Sequence, residues 1–299
     1  MAYFKCGADG SSVEIDGVAY DGDLKFVGGL YDISLPDIPY AFAYGSAVVL
    51  NREIHILGGN NSKTSHYKFN GTTWESVSTL PYDFYQGSAV VLNNEIYIMG
   101  SGYSSYNTKY YKFNGSSWES VGTLPYNSYN SGVVVLNGEI HILGSGIGSY
   151  HTKHYKYNGS SWESVSTLPY SFYDGGAVVY NGEIHIMGGQ GYYTKHYKYN
   201  GSSWESVSTL PYSFCAGDAV VYNGEIHIMG TSSNSQCANH YKFDGSSWEN
   251  VSTLPYDFYN GSSVVLDNDA CILGSSSATD CFQNASKVSV LLYKLSKSN

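Results

Sequence analysis

The stretch GGAVVYNGEIHIMGG, residues 175–189, followed by HYKYNGSSW at 196–204, decides how the whole chain reads. GAVVY is an apolar, β-branched run suited to a strand buried on both faces, and Asn181-Gly182 offers the two left-handed positions of a type I′ hairpin turn. EIHIMGG alternates Ile184 and Ile186 with Glu183 and His185, then ends on two glycines that let another backbone come close. HYKYN predicts a third strand, Asn200-Gly201 a second turn and WESVST a fourth strand. Leu210-Pro211 ends the unit, because proline cannot continue a strand ladder.

Nearly the same text returns along most of the 299 residues. The hairpin glycine falls at Gly58, Gly100, Gly144, Gly188, Gly230 and Gly274, in steps of 42, 44, 44, 42 and 44 residues, and the tryptophan keeps step at Trp74, Trp118, Trp162, Trp204 and Trp248. A period this long, holding four strands, fits one four-stranded sheet per unit. A double glycine, a tyrosine about eight residues later, then six residues and a tryptophan (Gly188, Gly189, Tyr197, Trp204) resembles the Kelch repeat, one blade of a β-propeller. Four units depart from it, with Gly100-Ser101, Gly144-Ser145, Gly230-Thr231 and Gly274-Ser275 in place of the double glycine.

The resemblance implies an all-β, six-bladed propeller over residues 25–299, behind a lead at 1–24. The last unit lacks a WESVST segment, and Kelch rings are commonly closed by a strand from one terminus, so residues 31–35 are expected to supply its outer strand. The alternative is seven blades, with a hairpin at 17–29 (GVAYDGDLKFVGG) as the core of a reduced one.

The formal net charge of −10, with Arg52 the single arginine, argues against nucleic acid and anionic membranes, which want clustered cations. No apolar run approaches the roughly 18 residues of a membrane span, and residues 1–6 lack the pattern of a secretory signal. The expectation is a cytoplasmic protein without membrane insertion, or one carried on a virion. Five cysteines do not make a complete disulfide framework; free thiols are expected, with Cys215 and Cys237 the one pair placed to meet.

In such a unit both Asn-Gly turns lie on one face of the disk. The loops between strands two and three, and the crossovers between units, lie on the other. Those segments differ from unit to unit, and variable loops on a rigid scaffold are where binding concentrates. The crossovers contribute Tyr44, Tyr85, Tyr129, Tyr173 and Tyr259, and the loops Tyr103, Tyr106, Tyr150, Tyr192 and Tyr193. A phenol offers flat contact area at small entropic cost together with a hydroxyl, a combination suited to sugars or to a protein surface. Asp174 and Asp218, with Gln86, Asn130 and Asn260, add polar groups that differ between units near the channel mouth, and His151 is the one histidine outside the repeat columns. The other eight histidines recur in two strand columns and are read as sheet residues, as are the paired Glu183 and Lys198. The Tyr after each Pro and the following Phe are read as packing between blades.

Two functions are weighed. The first is a non-catalytic module that binds carbohydrate or protein through its aromatic face, without cofactor or metal. Its Tyr, Ser, Gly and Asn richness resembles bacteriophage or bacterial surface-recognition proteins, and near-identical repeats suit a repetitive ligand. The alternative is a carbohydrate-active Kelch enzyme of oxidase or mutarotase type. The arginines such a mutarotase needs for a carboxylate are missing, and the histidines an oxidase needs are tied up in the repeat columns.

Overall fold

A computed structural model describes residues 4–6, 12–15, 18–21, 33–34, 38–103, 105–191, 193–232, 236–254, 256–266, 269–275 and 291–293. The chain divides into two units, Asp32–Lys294 and a smaller one of Met1–Tyr31 with Leu295–Asn299. In the smaller unit Phe4–Cys6, Ser12–Ile15 and Val18–Asp21 form a three-stranded antiparallel sheet. Val18–Asp21 pairs back onto Ser12–Ile15, and the second half of the hairpin expected at 17–29 lies outside the described residues.

The larger unit is an all-β propeller, and no helix occurs among the described residues. Five four-stranded antiparallel sheets each use consecutive strands. A sixth four-stranded sheet joins Ser262–Leu266, Asp269–Leu273 and Leu291–Tyr293 to Ile33–Ser34, with Leu291 opposite Ser34 and Leu292 opposite Ile33. The innermost strands, Ser46–Leu50, Ser88–Leu92, Gly132–Leu136, Gly176–Tyr180, Asp218–Tyr222 and Ser262–Leu266, neighbour one another in a closed circuit. At the first turn of the first five blade hairpins both central residues are left-handed: Asn181 and Gly182 have φ of 51° and 78°, and even Asn51 and Arg52 have 52° and 65°.

The core lies between sheets. Val178 and Tyr180 of one sheet meet Ile226, Ile228 and Phe243 of the next, with Leu210, Tyr212 and Phe214 of the crossover wedged between them. The same arrangement joins the sixth sheet to the first, where Val264, Cys271 and Leu273 pack on Phe42, Ile54, Ile56 and Phe69. The hairpin glycines explain the close approach. Gly58, Gly100, Gly144, Gly188, Gly230 and Gly274 all have φ of 60° to 67°, and a Cβ on any of them would strike the backbone carbonyl of Phe84, Ser128, Phe172, Phe214, Phe258 and Phe42 respectively. The tyrosine after the proline secures the same corner in five crossovers; among them Tyr82, Tyr126 and Tyr212 are buried and donate to the carbonyls of Gly100, Gly144 and Gly230 at 3.1, 3.0 and 3.0 Å.

The histidine columns form buried relays within and between sheets. His141 Nδ1 lies 2.8 Å from His154 Nε2, His154 Nδ1 lies 3.1 Å from Ser166 Oγ, and the Trp204 indole of the next sheet donates to that oxygen at 3.1 Å. His55 with His66 and His185 with His196 repeat this relay through Ser78 and Ser208, and His227 pairs with His240 at 2.9 Å. Burial lowers His55, His141, His185 and His227 to about 4 and their partners His66, His154, His196 and His240 to about 3, so all eight are neutral at ordinary pH. No described set of three or more His, Cys, Asp or Glu side chains is arranged to hold a metal.

Candidate functional site at the crossover mouth

Six crossovers converge on the axis, and their main chains hydrogen-bond in a ring. Gln86 N–H donates to Tyr44 O at 2.8 Å, Asn130 to Gln86 at 2.9 Å, Asp174 to Asn130 at 2.8 Å, Ala216 to Asp174 at 2.8 Å, Asn260 to Ala216 at 2.7 Å and Tyr44 to Asn260 at 2.7 Å. All six residues are left-handed, with φ between 50° and 61°, a conformation costing most side chains about 1 kcal/mol or more and sustained here by closure of the ring. This ring corrects two sequence alignments. Asp218 is not equivalent to Gln86, Asn130, Asp174 and Asn260; Ala216 is, and Asp218 lies two residues further on, in the inner strand. Tyr44 belongs to the ring column rather than to the column of Tyr85, Tyr129, Tyr173 and Tyr259, where its unit carries Ala43.

The ring residues and the inner strands line a cavity of about 250 Å³. Its wall is stitched between sheets by short polar side chains: Ser46 Oγ accepts from Ala89 N at 3.2 Å and Ser262 Oγ from Ala47 N at 3.1 Å. Asp218 occupies the same column. One of its oxygens accepts from Ser263 N and, at 2.9 Å, from Ser263 Oγ, while the other accepts from Ala219 N at 2.8 Å. Burial pushes its carboxyl up to about 6 against these donors. Asp218 is thus an inter-sheet clamp, and its oxygens are occupied.

Above the ring the phenols form an arc. Tyr44 and Tyr85 have centroids 5.1 Å apart, Tyr85 and Tyr103 5.7 Å, and the Lys63 ammonium sits 4.5 Å over the Tyr103 ring. Burial pushes Tyr85 up to about 12, with Tyr44, Tyr103 and Tyr129 around it. Tyr173 is raised as well, first by burial and then by Tyr129, Asp174, Cys215 and Tyr193; its ring lies 5.1 Å from that of His151. Tyr193 is 37% exposed, the most open of the large apolar side chains described.

Other candidates point elsewhere. Tyr106 and Tyr150 turn inward, 5.6 Å from Tyr82 and 5.4 Å from Tyr126, and join the inter-sheet core. Tyr259 is buried against Cys215 and Ala216, whose small side chains leave room for its ring. Tyr192 lies outside the described residues. Cys215 and Cys237 are both buried, and neither is in a disulfide. The Cys215 thiol is 3.4 Å from Gln190 Oε1 and 3.6 Å from Asp174 Oδ2, and burial, with Asp174 beside it, pushes it up to about 12, far from the range of a nucleophilic thiolate.

One set of positions is hidden in the sequence by unequal loop lengths. The carbonyls of Lys63, Asn107, His151, Tyr193 and Cys237 all accept from the amide of the following crossover, Phe84, Ser128, Phe172, Phe214 and Phe258, at 2.7–3.0 Å. The main-chain bond is the same in all five, yet every side chain differs. Asn107 and Cys237 are buried, and Lys63, His151 and Tyr193 reach the mouth.

No protein-family model and no curated protein sequence matches the chain. Among solved structures, that of YjhT is similar, with a TM-score of 0.71 over 86% of this chain and 95% of that one at 15% identity. At that identity the likeness shows the propeller fold alone.

Proposed function

We propose that the protein is a non-catalytic binding module that recognises carbohydrate or a protein surface through the phenol arc at the crossover mouth. The observation that carries this reading is the arrangement of Tyr44, Tyr85, Tyr103, Tyr129, Tyr173 and Tyr193 over a main-chain ring that is the same in every unit. A six-bladed count, with Ile33–Ser34 closing the last blade, and the Kelch type belong to the same proposal, supported by the closed ring and by the glycine corner repeated six times. The absence of catalysis is supported by the occupied Asp218, the raised Cys215 thiol and the neutral, buried histidine relays. Recognition of a bacterial surface polymer, on a phage or a bacterium, accords with the Tyr-rich face and the acidic charge.

An array of glycans that includes bacterial surface polysaccharides tests the reading, with each hit repeated for Tyr85→Ala and Tyr173→Ala. Binding that falls at least tenfold in either variant, at unchanged melting temperature, is the expected result. Binding that survives both substitutions removes the arc from recognition.

A further inference from the structure

The mouth holds acceptors that the protein leaves short of donors. The Asp174 carboxyl has one described donor, the Cys215 thiol at 3.6 Å, and a thiol is a weak donor. A carboxyl so poorly partnered carries an unmet hydrogen-bonding demand, and burial raises its pKa accordingly. The His151 ring, beside Tyr173, is fixed by a hydrogen bond from Nδ1 to the Ser145 carbonyl. A carbonyl can only accept, so Nδ1 bears the proton, and in the Nδ1–H tautomer Nε2 presents a lone pair, for which no described residue supplies a donor. The Tyr173 phenol, between these two groups, also lacks a hydroxyl partner among the described residues. Among the described residues no lysine or arginine bonds to Asp174, His151, Tyr173 or Gln190.

A ligand that satisfies this corner must bring several O–H donors on an apolar, ring-sized frame and no negative charge. Resting on the carbohydrate-binding reading above, we propose that Asp174, His151 and Tyr173, with Tyr193 at the edge, form a subsite for one neutral pyranose of a polysaccharide. Vicinal hydroxyls of the sugar donate to the Asp174 carboxyl and to His151 Nε2, and its C–H face rests on Tyr173. The other arm of the arc, with Lys63 over Tyr103, contacts neighbouring residues of the same polymer. A neutral sugar is favoured over a uronate because the carboxyl repels anions and the chain carries a net charge of −10.

The test is calorimetric titration of the full chain with soluble mannan, dextran and laminarin, with polygalacturonate as the anionic comparison. Asp174→Asn keeps the shape and removes the carboxylate; His151→Phe keeps the ring beside Tyr173 and removes the acceptor. At least one neutral polymer binds, each variant weakens it tenfold or more without lowering the melting temperature, and Glu205→Gln on an outer strand leaves it unchanged. If Tyr85→Ala abolishes binding while Asp174→Asn and His151→Phe do not, the subsite is wrong and the aromatic face stands. Binding of polygalacturonate alone, or of none of the four polymers, overturns this proposal, and the broader array then decides the wider reading.

Discussion

The interior of the blades and the crossover mouth follow opposite rules. Inside, one slot holds a histidine pair in four sheets and Tyr97 with Tyr110 in another, always buried and always doing the same packing. At the mouth the backbone is constant and the side chains are not: five carbonyls make the same bond while Lys63, Asn107, His151, Tyr193 and Cys237 share no chemistry. In a protein made of near-copies, a repeated residue marks what holds a blade, and a changed residue on an unchanged backbone marks what can discriminate a ligand.

The interior rule breaks most visibly at the glycine corner. Gly188→Ala combines a left-handed φ of 63° with a Cβ driven into the Phe214 carbonyl, whereas Gly182→Ala at a hairpin turn, φ 78°, meets nothing within 4 Å. Denaturant unfolding is expected to show a loss of about 4 kcal/mol or more, or no folded protein, for Gly188→Ala, against about 1 kcal/mol for Gly182→Ala. Equal costs at both sites would remove the inter-sheet approach as the reason for the glycine.

The next effect is acid sensitivity. Each column histidine has a folded pKa near 3 or 4, below its unfolded value of 6.5, so the unfolded chain binds more protons between those values. Stability is therefore full above about pH 6.5 and declines as pH falls toward 3. The double variant His141→Tyr with His154→Tyr, which copies the occupants of the second sheet, is expected to reduce the acid-induced loss by up to about 5 kcal/mol, read from denaturation midpoints at pH 7 and pH 4.5. An unaltered pH profile would show that these histidines protonate without cost in the folded state.

The blades were legible in the sequence for a physical reason. Period-two alternation, Asn-Gly turns and proline stops act locally, and repetition averages out the exceptions. The mouth was less legible because its ring is a main-chain feature: the left-handed residues are Tyr44, Gln86, Asn130, Asp174, Ala216 and Asn260, and no side-chain type announces them. That is how Asp218 came to be read two residues out of register. Tyr106 and Tyr150 looked outward by type, but they stack on Tyr82 and Tyr126, and tyrosine serves both roles. His151 alone was marked as different, because it falls outside both histidine columns.

Asp218 sits where the two rules meet, a changed residue that nevertheless holds the wall. Its folded pKa of about 6 exceeds the unfolded carboxyl value of 3.8, so its contribution is present at low pH and is lost as pH rises from about 4 through 6. Asp218→Ser restores the group found at Ser46 and Ser262, keeps an acceptor for Ser263 N, and removes that titration; it is expected to stabilise the protein by about 1 kcal/mol at pH 7.5. Asp218→Ala leaves the Ser263 amide without its acceptor and costs about 1–3 kcal/mol. If Asp218→Ser instead destabilises at pH 7.5 and weakens polysaccharide binding, the carboxylate belongs to recognition and the comparison must be redrawn at this position.

The smallest effect sharpens what repetition means. Lys198 bonds Glu183 at 3.0 Å and lies 4.0 Å from Glu205, and the same trio recurs as Lys68 with Glu53 and Glu75 and as Lys242 with Glu225 and Glu249. These side chains are partly open to solvent, where an ion pair gains little over hydration and loses more as salt is added. Lys198→Met is expected to change stability by less than about 0.5 kcal/mol at moderate salt, with the difference vanishing in high salt. Duplication copies weak contacts as faithfully as strong ones, so recurrence identifies a residue as part of the blade without measuring how much it holds. A loss above about 2 kcal/mol for Lys198→Met, insensitive to salt, would make the pair a structural element of the same rank as the glycine corner.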